Sequence, residues 1–222
     1  MITTLNIGIS GVARSGKNTF TDLLQVRLKY LHNVSVSQFA LADALKDDCC
    51  DFVKSKLNLN VYSNNTEEKT LFRPLLVWYG KVKRKQTIGR YWTKIVDEKL
   101  LKSQSYVNII SDIRYDEYEY DETQWIKNKG ILIHLSKFDS DYNFRFLPPD
   151  AVNDTLKYKK IYTSPANEDE MINDTKLFRA ADYRIEWQDQ SKFHTGSFET
   201  NEYMCDKVDD FILQLKNDGK LL

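Results

Sequence analysis

Leu5–Thr19 reads LNIGISGVARSGKNT, and the fold turns on how this stretch divides. Leu5 to Ser10 alternates and is apolar enough for a short buried strand, while from Lys17 onward Phe20, Leu23, Leu24 and Leu28 follow helical spacing. Between them Gly11–Lys17 fits the pattern GxxxxGK, whose glycines permit backbone angles that aim successive N–H groups at phosphate oxygens while the lysine reaches the β and γ oxygens. The helix that starts near Lys17 adds its positive dipole end. Strand, glycine loop and amphipathic helix in this order predict a nucleotide-binding P-loop with Gly11, Ala13, Arg14, Ser15, Gly16, Lys17, Asn18 and Thr19 around ATP. Asn18 departs from the pattern, because Ser or Thr normally supplies a hydroxyl to Mg²⁺ there. The metal is then held by the Asn18 amide oxygen, through water or by other groups, or Asn18 is simply a residue of the helix N-terminus.

Outward from this loop, strands alternate with helices. Val34 to Phe39 predicts a second strand, Leu41 to about Leu57 a helix with Leu41, Leu45, Phe52 and Val53 on one face, and Asn58 to Thr66 a loop. Helices are predicted over Glu67 to Tyr79 and Tyr91 to Lys102, with a basic segment, Lys81 to Arg90, between them. Tyr106 to Ser111 reads as a third strand, Tyr115 to Lys129 as a polar helix ended by Gly130, Ile131 to Leu135 as a fourth strand and Tyr183 to Trp187 as a fifth, before a helix over Val208 to Leu215. The pattern predicts one α/β domain with about five parallel strands flanked by helices and ligands at the carboxyl edge. A helical insert over about 41–104 would bind substrate, and the irregular stretch over about 137–181 would serve as a lid, with Arg145 and Arg179 able to reach in or to be ordinary surface arginines.

Length and charge bound the function. The 222 residues suit a single sizeable core, and Lys plus Arg equals Asp plus Glu at 32 each, so no overall basic field draws in nucleic acid. Three cysteines without metal-ligand spacing suit a reducing cytosol, and no stretch approaches the ~20 apolar residues of a membrane span. The expectation is a cytoplasmic protein, in the host cytoplasm if viral. His32, His134 and His194 have no ligand spacing, and Trp125, Phe138, Trp187 and Phe193 read as core or surface aromatics.

Other residues supply an acceptor side. Asp112 follows the apolar YVNIIS strand, so its carboxylate should emerge beside the phosphates to hold metal-bound water or orient an acceptor, and Arg114 can grip a second phosphate, unless the two form a structural pair. Between Arg73 and Lys94, basic residues interleave with Trp78, Tyr79, Tyr91 and Trp92, which suits a pocket that stacks a base and clamps its phosphate, or a single-stranded nucleic-acid groove.

With these motifs in order, the chain resembles the phage-type deoxynucleoside monophosphate kinases, a P-loop kinase family. The resemblance rests on GVARSGKNT, on FALADALK (Phe39–Lys46), on RPLLVWYG (Arg73–Gly80), on RYWTK (Arg90–Lys94) and on SDIR (Ser111–Arg114). Family members also place a non-hydroxyl residue after the P-loop lysine. The resemblance implies transfer of the ATP γ-phosphate, with Mg²⁺, to a deoxynucleoside monophosphate for viral DNA synthesis, and a homodimer. Lys17, Arg14 and Asp112 would be catalytic, Arg14 bridging both substrates, and Asn18 and Asp112 would attend the metal. Arg73, Arg90 and Arg114 would take the acceptor phosphate, Tyr79 and Trp92 the base or sugar, with Lys46, Gly80, Arg84, Lys94, Asp112 and Glu168 completing the acceptor site. SPANEDE (Ser164–Glu170) departs from the family's late loop, and Arg184–Gln188 from its usual adenine-side strand end. Two other readings fit the loop: a kinase for another small acceptor, dephospho-coenzyme A-like or phosphomevalonate-like, and a non-catalytic nucleotide-dependent module gripping nucleic acid through Lys81 to Arg90.

Overall fold

The computed structural model describes residues 4–141, 159–189 and 197–221. Its centre is a sheet in which β1 (Leu5–Ser10) lies between β3 (Val107–Ile110) and β4 (Ile131–Asp141), with β2 (Val36–Phe39) outside β3 and β6 (Tyr183–Gln188) outside β4. All four of these pairings are parallel, as expected. A strand not foreseen, β5 (Lys159–Tyr162), pairs antiparallel with the far end of β4, which runs six residues beyond its expected end at Leu135. Among the described residues the sheet is therefore six-stranded and mostly parallel.

The period-two alternation of buried strands sorts the core to two faces. Ile7, Ile9, Ile109, Ile133 and Leu135 pack with Phe20 and Leu24 of α1 (Lys17–Tyr30) and with Val208 and Phe211 of α7 (Ser197–Asn217). On the other face, Ile110 and Leu132 meet Ile126 of α5 (Glu122–Lys127), Val96 of α4 (Arg90–Leu100) and Leu177 of α6 (Glu168–Ala180). Gly8 faces this second layer, and a Cβ there would come 2.7 Å from Ile126. The expected insert is α2 (Leu41–Leu57), α3 (Thr66–Thr87) and α4, with its own small core of Cys49, Val53, Val61 and Phe72.

Three expectations need correction. The basic segment Lys81–Arg90 is no connector: α3 runs through it to Thr87, because Lys and Arg are good helix formers, and the chain turns only where Ile88 and Gly89 take positive φ. The polar helix over Tyr115–Lys129 shrinks to α5. Glu122 accepts from the backbone N–H groups of Arg114 and Tyr115, and Asp121 from those of Glu117 and Tyr118, so side chains take the donors a helix would use. The expected lid over about 137–181 is, where described, the end of β4, β5 and α6, while residues 142–158, with Arg145, lie outside the described residues, as do Phe193 and His194. Among the described residues no helix is long and apolar enough to cross a membrane.

Candidate nucleotide and acceptor site

The P-loop turns between β1 and α1 at the carboxyl edge of the sheet. Its shape needs left-handed backbone at three places: Gly11 at φ 133°, Arg14 at φ 65° and Gly16 at φ 89°. At Gly11 a Cβ would meet the Leu135 carbonyl oxygen at 2.3 Å, and at Gly16 the Trp187 ring at 2.6 Å. Trp187, read from sequence as an ordinary aromatic, is thus the floor of the loop, and its Nε1–H donates to the Ser15 carbonyl at 2.8 Å. The Ser15 hydroxyl is buried with no hydrogen-bond partner among the described residues. Arg14 is exposed, and Asn18 and Thr19 are exposed in the first turn of α1.

Lys17 folds back over the loop, its Nζ donating to the carbonyls of Gly11 and Val12 at 2.7 Å each. Burial, with the positive charge of Arg114 beside it, pushes its ammonium down to about 8. Glu170, Asp174 and Asp112 are close enough to oppose that shift.

Asp112 does emerge at the end of β3, but both its oxygens are engaged: Oδ1 accepts from Leu41 N–H and Oδ2 from Ala42 N–H, each at 2.7 Å. Helix α2 has no side-chain cap of its own at Ala40, so Asp112 caps it from across the sheet. Asp112 thus has a helix-capping role that the expectation of a metal-attending or acceptor-orienting carboxylate did not include; burial also raises its pKa, against the pull of Arg114 and the two amides. Two residues on, Arg114 is exposed, its backbone N–H held by buried Glu122 at 2.6 Å. Burial pushes the Glu122 carboxyl up to about 8 despite Arg84's charge and the Arg114 amide.

Beside the loop opens a cavity of about 190 Å³ bounded by Gly11 and Ala13, Arg73 and Val77 of α3, Arg114 and Tyr115, and Asn167 through Leu177 around α6. Arg73 and Arg114 both line it, and neither guanidinium has a salt bridge among the described residues. Its opposite wall is acidic. Glu170 spans from α6 to the P-loop, Oε1 accepting from Ala13 N–H at 2.7 Å and Oε2 from Ala166 N–H at 2.6 Å. Asp174 is held by buried His134 at 2.9 Å, whose other ring nitrogen meets the Ser136 hydroxyl. Asn173, fully buried, ties α6 to Asp116 and Glu117.

The remaining expected acceptor residues are placed elsewhere. Arg84 is 3% exposed and bidentate to fully buried Asp121, with Glu117 as a further partner, so it is structural. Trp92 is buried and donates to the Gly80 carbonyl, while Tyr79 donates to Asp48 of α2, so both contacts join helices of the insert. Arg90 stacks on Tyr120 at 3.5 Å and lines, with Lys94, a separate cleft that also holds Asp97, Trp125 and Lys129. Lys46 pairs with Asp43 on its own helix. Glu168 is exposed and outside the cavity lining; Asp169 and Glu170 line it instead. The interleaved charges and aromatics of α3 and α4 are largely satisfied internally, as when Lys83 lies over the rings of Tyr79 and Tyr91.

Sequence reasoning missed Glu170, Asp174 and Tyr115 as cavity walls. A signal for Glu170 existed, since Asn167 followed three residues later by Glu170 is a helix N-terminal pattern, and Asn167 does cap α6. No family model matches the chain, and no curated protein sequence does. Among solved structures, the shikimate kinase from Acinetobacter baumannii in complex with shikimate is similar over 99% of this chain and 97% of its own, at 15% identity and a TM-score of 0.41, a likeness too loose to carry an argument about activity.

Proposed function

We propose that the chain is an ATP-dependent P-loop kinase whose acceptor is a deoxynucleoside 5′-monophosphate, converted to the diphosphate to supply viral DNA synthesis. The observation that carries this reading is that Arg73 and Arg114, neither with a salt bridge among the described residues, both line the cavity that also contains the P-loop residues Gly11 and Ala13. Two guanidinium groups facing a triphosphate loop suit an acceptor that is itself an anion, because a carboxylate or phosphate can be gripped through a bidentate fork. The motif resemblance to phage-type deoxynucleoside monophosphate kinases supports the nucleotide as the bearer of that phosphate.

Phosphoryl transfer between two such groups needs little covalent chemistry from the protein; it needs alignment and cations that meet the charge spread over the transferred group. In this reading the loop amides and Lys17 bind the donor, Lys17 leaving the Gly11 and Val12 carbonyls to do so, and Arg114 and Arg73 hold the acceptor. Exposed Arg14 at the loop's outer turn is the residue to bridge them. A Mg²⁺ ion bound with the donor would supply charge neutralisation of its phosphates. Asn18, exposed at the first turn of α1, suits a role beside it; Asp112, with one amide of α2 on each oxygen, would attend it through its remaining lone pairs or through water.

The test is ADP formation by purified protein with each deoxynucleoside monophosphate, with dephospho-coenzyme A and phosphomevalonate as competing acceptors. The expected result is turnover that depends on the deoxynucleotide and is abolished in folded Lys17→Ala, with Arg73→Ala and Arg114→Ala each raising the acceptor KM on the order of 10-fold or more, the scale of a lost charged hydrogen bond. ATP consumption that is equal with and without acceptor would overturn the assignment.

A further inference from the structure

Glu170 has a position that phosphate binding alone does not account for. It reaches across the mouth of the cavity from the first turn of α6 and hydrogen-bonds a P-loop amide through its carboxylate. In the usual helix-start arrangement a Glu three residues after the cap returns to the N–H of the capping residue. Here Asn167 keeps its half of that arrangement, accepting from Glu170 N–H at 2.9 Å, but the Glu170 side chain goes instead to Ala13 and Ala166. Both carboxylate oxygens are thereby held by backbone donors, 157 residues apart in the chain in the case of Ala13.

Ala13 is both a P-loop residue and a wall of the cavity that holds Arg73 and Arg114. On the reading of the loop as a donor site, its N–H, now bonded to Glu170, is one that a donor phosphate would use. A carboxylate and a phosphate offer the same thing to such an amide, a charged oxygen acceptor, and two anions cannot share it. Lys17 is turned to the carbonyls of its own loop at the same time, so the Ala13 amide and the Lys17 ammonium, two groups that would meet a phosphate, are both satisfied from within the chain.

We propose that Glu170 is an intramolecular competitor of the donor's terminal phosphate, an acidic latch that must leave Ala13 before ATP is fully seated. The idea rests on the reading of the loop as a donor site. Because Glu170 also lines the acceptor cavity, its departure couples the two sites: the donor's terminal phosphate expels the carboxylate, and the wall facing Arg73 and Arg114 changes with it. The remainder of α6 stays anchored, through Asn173 to Asp116 and Glu117 and through Asp174 to His134, so the latch is a swing of one side chain. A diphosphate, which lacks the terminal group, is under less compulsion to displace it.

The measurement is the affinity of full-length protein for MgATP, ADP and AMP by isothermal titration, in the wild type, Glu170→Ala, Glu170→Asp and Lys17→Ala. Glu170→Asp keeps the negative charge in the first turn of α6 and shortens the side chain by one methylene, so it opens the latch while preserving the helix start. Apparent affinity is the intrinsic affinity scaled by the population of the open state, so both Glu170 variants should bind MgATP about 5- to 30-fold more tightly than the wild type. ADP should gain less and AMP nothing. Unchanged or weaker MgATP binding in both variants, with circular dichroism showing them folded, overturns the latch, as does an equal gain for all three nucleotides. If the wild type binds ATP and Lys17→Ala does not, a negative result at Glu170 falls on the latch alone. If the wild type binds no nucleotide, the donor-site reading fails and the latch with it.

Discussion

Replacing Arg84 by methionine separates the structure's account of this residue from the acceptor role that its sequence context suggests. The guanidinium is 3% exposed and its Nε and Nη2 engage both oxygens of Asp121, which is itself fully buried. Methionine retains much of the apolar stem and removes the charge, so Asp121 is left as an unpaired carboxylate in the interior. Breaking such a pair costs about 3–5 kcal/mol. Asp121 still accepts from the N–H groups of Glu117 and Tyr118, which places the loss near the lower end, about 3 kcal/mol. For a chain of this size each kcal/mol moves the melting temperature by roughly 2–4 °C, so Arg84→Met should melt on the order of 6–12 °C below the wild type. Adding Asp121→Asn removes the stranded charge while keeping an oxygen for the two amides, and should restore more than half of the loss. Thermal and urea unfolding of the single and double variants measure this, alongside the acceptor KM. A single variant within about 2 °C of the wild type, but with weakened acceptor binding, would refute the structural assignment of Arg84.

Three pH effects follow from Lys17 and Glu122. Lys17 is pushed down to about 8 from 10.5, so between those values the unfolded chain binds the extra proton and the stability of the nucleotide-free protein should rise with pH, a slope that Lys17→Met removes; an identical slope in the variant would contradict the buried position of the ammonium. Nucleotide affinity should move the opposite way, falling as pH rises above about 8, because only the charged amine meets phosphate. Glu122 is raised from 4.5 to about 8, so there the folded state holds the extra proton and stability from this group is lost as pH climbs through that window. Glu122→Gln, which keeps an oxygen for Arg114 N–H, should flatten the urea midpoint against pH, and an unaltered profile would count against it.

The parts of the site that were legible before folding are those made by neighbours in the chain. The P-loop is continuous from Gly11 to Lys17, and its motif, its preceding strand and its following helix all lie within one window. Arg114 was found because it follows a strand, and strand ends collect at one edge of a parallel sheet. The density of charge and aromatic rings between Arg73 and Lys94 suggests one pocket. Helical geometry splits it instead: Arg73 and Val77, one turn apart, face the cavity, while Gly80 and Arg84 turn into the interior and Arg90 and Lys94 open on another cleft. Glu170 and Asp174 escaped notice because their importance lies in contacts with Ala13 and His134, on distant strands and loops.

Local sequence settled the phosphate loop, the parallel α/β architecture and the helices that carry clear apolar faces, because hydrophobic periodicity and glycine conformation act over a few residues. Tertiary structure alone decided which charges stay free. Asp112 and Arg84, chemically suited to substrate, are engaged in capping α2 and in a buried ion pair, whereas among the described residues Arg73 and Arg114 emerge without salt bridges in the cavity beside Gly11. A charged side chain takes whatever opposite charge or backbone donor folding brings within about 3 Å, and that partner is set by packing across the sheet, not by the residues on either side of it.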